Sequence, residues 1–259
     1  MMKRSRQAGF TLTELMISTA LSLSVISSIL VGYLATLTSS ANTLDASKLN
    51  QELTTLMSVM VSDIRRAGYW ANALNVAPTA NIFSAVNNTA LEVFDNMTAN
   101  NQVAATGSGS CIVYAYDADE DGAVDAEELM GFRLNGSVVQ MRTSGNLADP
   151  DSCASASNTW VSLTDSTLVN ITTLDFDLTD SICLNTREPD GVDNDGDSTI
   201  DNAEEADCYA QVPTAGSGDI TVETRQLSIT LAGTLADDAF VRLSLTQDVR
   251  VRNDIVREY

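Results

Sequence analysis

The chain has 259 residues, of which 35 are acidic and 14 are basic, and its formal net charge is −21. Nucleic acid is therefore not expected as a partner, because its recognition requires a basic surface. The chain has no histidine, which excludes histidine-dependent catalytic triads and zinc sites of the HExxH and Cys₂His₂ types.

The beginning of the chain is predicted to form a basic leader followed by one long helix. Lys3, Arg4 and Arg6 precede Gly9, and no charged residue occurs from Leu15 to Leu44. This apolar stretch exceeds the ~20 residues that a helix needs to cross a bilayer, and the positive leader predicts a cytoplasmic N-terminus. A cleaved secretory signal fits poorly, because the apolar run is too long and no small-residue cleavage site closes it.

The second half of the predicted helix is amphipathic. Its apolar residues recur at spacings of three and four, which is typical of one buried helix face. We expect this face to pack on the remainder of the chain, and we expect Gly68 to end the helix in a left-handed conformation. The apolar residues of the face are Leu49, Leu53, Leu56, Met60, Ile64 and Ala67.

Glu14 is a carboxylate within the apolar stretch. An ionisable group at this depth is costly in a membrane and therefore indicates a functional site. Its natural partner is a positive charge at the same depth on a neighbouring chain. Cleavage between Gly9 and Phe10 would create such a charge, the new α-amino group of Phe10.

The stretch Gly9-Phe10-Thr11-Leu12-Thr13-Glu14-Leu15 resembles the class III signal of type IV pilins and type II secretion pseudopilins. The resemblance implies that prepilin peptidase cuts between Gly9 and Phe10 and methylates Phe10. It also implies that Glu14 pairs with the N-terminus of a neighbouring subunit during assembly. The expected segments are a cleaved leader at 1–9, a transmembrane or filament-core half-helix at 10–35, an amphipathic half-helix at 36–67, and a periplasmic or extracellular head at 68–259.

Two further stretches narrow the resemblance. Asp63-Ile64-Arg65-Arg66-Ala67-Gly68-Tyr69-Trp70 is similar to a stretch of PilW-type minor pilins, and less closely to one in the J pseudopilin of type II secretion. Val249-Arg250-Val251-Arg252-Asn253 is similar to the end of PilW-like proteins, whose final strand finishes near an Arg-Asn pair. The resemblance implies a minor pilin that helps to initiate type IV pilus assembly at the pilus tip, and links the chain to twitching motility and cell adhesion.

The partners implied by this resemblance are other minor pilins, the major pilin, prepilin peptidase, the inner-membrane assembly platform and a tip adhesin. The expected location is the inner membrane, with the head in the periplasm, and then the pilus on the cell surface. Two alternatives remain open, a J-type minor pseudopilin of type II secretion and a membrane-anchored calcium-binding surface protein. An enzyme is not expected.

Four cysteines follow the helix. An even number of cysteines in an exported head indicates disulfides formed in an oxidising compartment. Three pairings are possible, and sequence order favours Cys111 with Cys153 and Cys183 with Cys208. Zinc binding by these cysteines is the weaker alternative, because no Cys-x-x-Cys pair is present.

The stretch from Asp117 to Glu128, here called the first acidic loop, matches the twelve-residue EF-hand loop. Carboxylates fall at positions 1, 3, 5, 9 and 12, and Gly122 is at position 6, where the backbone must turn sharply. Alternate side chains converge on a hard cation in such a loop, so we expect calcium, with magnesium as the less suitable ion. The predicted ligands are Asp117, Asp119, Asp121, the backbone carbonyl of Ala123, Asp125 and Glu128.

The stretch from Asp193 to Glu204, here called the second acidic loop, repeats the pattern with Ser198 at position 6. A non-glycine residue at positive φ costs on the order of 1 kcal/mol, so the pattern is weaker here. We expect calcium at both loops, with dissociation constants of ~10⁻⁴ to 10⁻³ M. The predicted ligands of the second loop are Asp193, Asp195, Asp197, Thr199, Asp201 and Glu204.

The head is predicted to be an antiparallel sheet on the amphipathic half of the helix, which gives a pilin-like α+β fold with the two acidic loops as insertions. Alternating apolar and polar residues indicate the strands. Asn135-Gly136 between two such runs predicts a hairpin. The predicted strands are Leu91–Phe94, Cys111–Tyr116, Met130–Leu134, Ser137–Arg142, Trp160–Leu163, Leu174–Leu178, Gln226–Leu231 and Phe240–Arg252.

Overall fold

The computed structural model describes residues 9–85, 87–98 and 101–259. The predicted leader lies outside the described residues apart from Gly9, so Lys3, Arg4 and Arg6 have no structural account. The chain divides into two compact units, Met1–Lys48 and Leu49–Tyr259. The long helix contributes residues to both units.

The described residues form one long helix, one short helix, twelve strands and several single turns of 3₁₀ helix. The helices are α1 (Leu12–Ile64) and α2 (Ala203–Ala206). The strands are β1 (Glu92–Phe94), β2 (Ser108–Gly109), β3 (Cys111–Ala115), β4 (Leu129–Asn135), β5 (Val138–Ser144), β6 (Thr159–Ser162), β7 (Val169–Asp177), β8 (Ile182–Asn185), β9 (Ile220–Thr224), β10 (Gln226–Leu235), β11 (Arg242–Arg250) and β12 (Ile255–Glu258).

The helix α1 has 53 residues and ends slightly earlier than the sequence predicts. The amides of Arg66 and Ala67 bond to the carbonyls of Asp63 and Ile64, three residues before them, at 2.9 and 3.1 Å. Bonds of this spacing tighten the chain into a 3₁₀-like turn. Gly68 completes this turn with φ at +72°, which is the left-handed conformation expected of it.

The first unit is a helix that buries none of its described residues, 9–48. An 18-residue window of α1 has a mean hydropathy of 2.0, so the helix is long and apolar enough to cross a membrane by length and composition. Its hydroxyl groups bond to carbonyls within the helix, as Ser22 does to Ser18 at 2.7 Å and Ser27 does to Leu23 at 2.8 Å. These groups therefore need no outside partner in an apolar environment.

The second unit has its core between the last four turns of α1 and two antiparallel sheets. The predicted buried face of the helix is confirmed, because all six of its residues are buried. They pack with apolar residues such as Ile112 and Phe132 of one sheet and Ile229 and Leu231 of the other. This arrangement confirms the predicted α+β fold class.

The described strands form three sheets, all antiparallel, where the sequence predicts one. The five-stranded sheet has the order β1-β3-β4-β5-β6, and the four-stranded sheet has the order β11-β10-β7-β2. The third sheet, β12-β9-β8, was missed in the sequence. The strand that ends near Arg252-Asn253 is also not the last one, because β12 follows it.

The predicted hairpin is present between β4 and β5, but its turn is shifted by one residue. Asn135 pairs with Val138, so Gly136 and Ser137 are the two residues of the turn. Gly136 has φ at +63°, and a glycine at the first central position is typical of a type II′ turn. Asn135 ends β4 instead of occupying the turn.

Two disulfides hold the head. Cys111 bonds to Cys153 and Cys183 bonds to Cys208, which is the pairing that sequence order favours. In the sequence, the first acidic loop lies between the cysteines of one bond and the second acidic loop lies between those of the other. Each loop is therefore part of a segment that is closed covalently.

Candidate functional site

The start of α1 is a capping box that includes Glu14. The amide of Glu14 donates to Thr11 Oγ1 at 3.3 Å, and Glu14 Oε2 accepts from the amide of Thr11 at 3.0 Å. This reciprocal arrangement satisfies two amides that the first helical turn leaves without partners. The Thr-x-x-Glu pattern of this capping box, Thr11 to Glu14, is visible in the sequence.

The end of α1 is fixed to the five-stranded sheet by Asp63. Its carboxylate accepts from the hydroxyls of Tyr114 at 2.5 Å and Tyr116 at 2.9 Å. Burial, and next the nearby Asp63 charge, raise the pKa of both tyrosines above their usual value. The two tyrosines therefore stay protonated and keep donating to Asp63 even at an alkaline pH at which an ordinary tyrosine ionises. The guanidinium of Arg66 lies over the Tyr116 ring, 4.1 Å from its centre.

The last carbonyls of the helical segment are satisfied by the Arg-Asn pair near the end of the chain. The amide of Arg252 donates to the carbonyl of Arg65 at 3.2 Å. Asn253 Nδ2 donates to the carbonyl of Ala67 at 3.0 Å. A helix end leaves such carbonyls without partners. The structure thus brings together the two stretches, 63–70 and 249–253, on which the resemblance to PilW-type proteins depends.

The segment Gly68–Asn72, here called the junction segment, lies against the first acidic loop. The amide of Asp117 donates to the carbonyl of Tyr69 at 2.9 Å. The amide of Ala71 donates to Asp117 Oδ2 at 3.1 Å. Gly122 has φ at +79°, a conformation that favours glycine, and a Cβ atom there would lie 2.4 Å from the movable end of the Asn72 side chain, Nδ2.

The first acidic loop brings its predicted carboxylates together in two overlapping groups. Oxygens of Asp117, Asp119 and Glu128 lie within 4.8 Å of one another, as do oxygens of Asp119, Asp121 and Asp125. Asp119 belongs to both groups. The loop therefore offers only oxygen ligands, which suit a hard divalent cation.

Two carboxylates of this loop are buried. Asp117 is 1% exposed, and its Oδ1 atom has no hydrogen-bond donor among the described residues. Glu128 is 3% exposed and accepts from the amides of Ala118 at 2.6 Å and Asp125 at 3.1 Å. Glu128 thereby closes the loop onto its own beginning. The amide of Ala123 donates to Asp121 Oδ1 at 2.8 Å, and the carbonyl of Ala123 as a ligand stays a prediction.

The second acidic loop divides its carboxylates between two places. Asp193, Asp195 and Asp197 have oxygens within 4.8 Å of one another, whereas Asp201 groups with Glu188 and Asp190. The predicted ligand set is therefore not gathered at one point in this structure. Ser198 has φ at +74°, the positive value that position 6 implies.

Glu205, and not Glu204, is the structural equivalent of Glu128. Its carboxylate accepts from the amides of Asn194 and Asn202, as Glu128 accepts from Ala118 and Asp125. The second loop is thus one residue longer than the first between these points, and Glu204 is exposed. The twelve-residue pattern assigns the closing position to Glu204, and Glu204 as a metal ligand stays a prediction.

Two family models match the chain. The family model described as prepilin peptidase-dependent protein B matches residues 42–251, which is more than half of the chain. The chain belongs to this family. The prokaryotic N-terminal methylation motif matches residues 4–32, a range that includes Gly9, Phe10 and Glu14. No curated protein and no solved structure matches the chain.

These two matches confirm the assignment to type IV pilin-like proteins. The methylation motif implies processing by prepilin peptidase and assembly with other pilins. Members of pilin-like families are structural subunits, not enzymes. The prepilin peptidase-dependent protein B match begins at residue 42, so it includes the buried face of α1, Asp63, the junction segment and both acidic loops.

Proposed function

We propose that this chain is a minor pilin that helps to initiate type IV pilus assembly at the pilus tip. The observation that carries the proposal is the start of α1. An exposed apolar helix begins there at Leu12, shortly after the Gly9–Phe10 pair, and carries Glu14 in its first turn within the matched methylation motif. After cleavage, Phe10 would present its methylated amine to the Glu14 carboxylate of a neighbouring subunit.

The charge of the chain supports a low copy number. A subunit with a formal net charge of −21 would repel identical neighbours if it were repeated along a filament. One copy among less acidic subunits avoids this repulsion. The stretches at 63–70 and 249–253, which contact each other through Asn253 and Ala67, support the PilW-like kind of minor pilin.

The proposed partners follow from this role. Prepilin peptidase would cut and methylate the chain at the membrane, and the assembly platform would receive it there. Other minor pilins and the major pilin would pack on the exposed apolar part of α1, and a tip adhesin would contact the head. The basic leader favours a periplasmic head before assembly and a surface position afterwards.

Glu14 has two roles in this proposal, and one pair of variants separates them. Glu14→Gln removes the negative charge but keeps an oxygen that can accept from Thr11, since glutamine also completes a capping box. Glu14→Ala removes both. If charge pairing drives assembly, both variants should be absent from sheared pili to the same degree. If capping alone matters, Glu14→Gln should assemble normally, and the pairing with Phe10 would be disproved.

A deletion strain, compared with the same strain complemented with the intact gene, shows whether the chain acts in the type IV pilus or in type II secretion. Surface pili should be lost on deletion and restored by the gene, while secretion of type II substrates stays unchanged. Normal pili with failed secretion would instead establish the J-type pseudopilin. Normal pili together with normal secretion would favour the remaining alternative, a membrane-anchored calcium-binding surface protein. Gold labelling of a tagged head should fall at one end of each sheared pilus, and labelling along the shaft would contradict the tip position.

A further inference from the structure

The first acidic loop contains a buried carboxylate oxygen for which the described chain supplies no hydrogen-bond donor. Asp117 is 1% exposed, one of its oxygens accepts from Ala71, and the other, Oδ1, has no donor among the described residues. A buried ionised oxygen without a partner is strongly unfavourable. A cation in contact with this carboxylate would remove the penalty.

The groups around Asp117 specify the kind of cation. Asp119 and Glu128 each place an oxygen within 4.8 Å of an Asp117 oxygen, and Asp121 and Asp125 extend the cluster through Asp119. The cluster holds no sulfur or nitrogen ligand, which disfavours zinc and copper. Flexible loops with several carboxylates fit calcium better than magnesium, because magnesium requires a near-ideal octahedron.

We propose that the first acidic loop binds one calcium ion and that this ion fixes the loop to the junction segment. Asp117 is the connecting residue, because it belongs to the carboxylate cluster and also bonds to the junction segment at two points. Its amide donates to Tyr69 and its Oδ2 accepts from Ala71. The hydroxyl of Tyr69 adds a contact of 3.4 Å to Glu120 of the loop.

The ion thereby holds the turn that follows α1. Without it, the carboxylates of the loop repel one another and the buried oxygen of Asp117 draws water toward the junction segment. Opening of the loop would then release Ala71 and Tyr69 together. With the ion bound, the loop and the junction segment open only when calcium dissociates.

The second acidic loop supplies a matched control. Asp119 and Asp195 both occupy position 3 and both are exposed. Each accepts from the amide two residues later, Asp121 at 3.2 Å and Asp197 at 2.9 Å. Asparagine can keep this hydrogen bond through its own Oδ1, so Asp119→Asn and Asp195→Asn remove the same charge in the same local setting.

The test uses the full chain in detergent micelles, freed of metal with a chelator. Hydrogen exchange of the junction segment and of the first acidic loop is measured with and without about 10 mM calcium chloride. At a dissociation constant of ~10⁻³ M, this concentration should slow exchange about tenfold at Ala71 and Asp117. Asp119→Asn should abolish the slowing, and Asp195→Asn should preserve it.

Three outcomes would overturn the proposal. The first is no calcium heat by calorimetry for the intact chain. The second is equal slowing of exchange by magnesium chloride, which would replace calcium with a nonselective divalent site. The third is slowing that survives Asp119→Asn but is lost in Asp195→Asn, which would place the ion in the second acidic loop. A near-ultraviolet circular dichroism spectrum identical to that of the intact chain establishes that each variant is folded.

Discussion

Glu92 on β1 is an acid whose surroundings favour its protonated form. It is 5% exposed, and burial raises the pKa of its carboxyl above the usual 4.5, while the charge of Arg225 opposes this rise. Protonation therefore stabilises the folded head more than the unfolded chain. The contribution of Glu92 to the free energy of unfolding is therefore greatest below pH 4.5, and it falls as the pH rises through the pKa of Glu92 in the folded head.

Replacing Glu92 with glutamine should therefore stabilise the folded head more at neutral pH than at acid pH. Glutamine is neutral at every pH, so Glu92→Gln avoids the burial penalty that the wild-type carboxylate meets once it ionises. The free energy of unfolding, from urea titrations at about pH 4 and about pH 7.5, should shift in favour of the variant as the pH rises. A shift in the opposite direction would mean that the attraction to Arg225 outweighs burial.

The closing glutamate of the second acidic loop is a residue that the sequence pattern alone cannot identify. Glu204 and Glu205 are adjacent, and both fit a loop of this kind if its length is free to change by one. The structure distinguishes them, because Glu205 is buried and accepts from the amides of Asn194 and Asn202, whereas Glu204 is exposed. In the first acidic loop there is no such extra residue, so the predicted carboxylates and the two groups in the structure coincide.

At the scale of elements, alternation predicted the strands that face the apolar core. β10 buries every second residue, including Leu227, Ile229 and Leu231, and this alternation is visible in the sequence. β8 and β9 alternate in the opposite sense. They bury Cys183, Asn185, Thr221 and Glu223 and expose Ile182 and Leu184. Strand prediction from alternation assumes that the buried residues are apolar, so it does not detect a sheet whose buried face is polar.

The polar face of this third sheet is stabilised by charges around Glu223. Arg225 Nε lies 2.6 Å from Glu223 Oε1, and Arg257 Nη2 lies 2.8 Å from Oε2. The hydroxyl of Tyr209 also donates to Oε1 at 2.5 Å. Because Glu223 is 1% exposed, it and Arg225 are largely out of contact with water, so each requires the other.

Glu223→Gln should therefore lower the free energy of unfolding, so that the head unfolds at a lower urea concentration. The change leaves two guanidinium groups facing a neutral amide, and removal of one partner of a buried ion pair costs about 3–5 kcal/mol. The matched control is Glu258→Gln on β12, an exposed acid whose loss should cost less than about 0.5 kcal/mol. Urea unfolding measures both, and equal stability of the two variants would show that the ion pairs contribute nothing.

At the scale of the whole molecule, the described chain has two parts. The part from Leu49 onward has a buried apolar core, and the described residues before it have no core. The described residues 9–48 bury nothing, whereas the buried apolar residues of the described chain begin at Leu49. The sequence predicts an amphipathic half-helix from residue 36, because the change from a charge-free to an amphipathic pattern is visible in the order of residues, whereas the first buried residue of the described chain is Leu49. The sequence could not predict three sheets, because the strand pairings depend on contacts far apart in the chain.

A chain that begins at Ser39 should therefore fold without its first part. It keeps the whole buried face of α1, so its free energy of unfolding should stay within about 1 kcal/mol of that of the full chain in micelles. It should also remain in solution without detergent, because most of the charge-free stretch is gone.

A chain that begins at Met57 is the matched truncation. It lacks Leu49, Leu53 and Leu56, all of which are buried in the core, and each lost leucine costs about 2–5 kcal/mol. It should show no cooperative unfolding transition, since the sum, about 6–15 kcal/mol, is as large as the stability of an ordinary domain, about 5–15 kcal/mol. If the chain from Ser39 also fails to unfold cooperatively, then the head depends on the first part of α1, and the division at Leu49 does not describe how the molecule is stabilised.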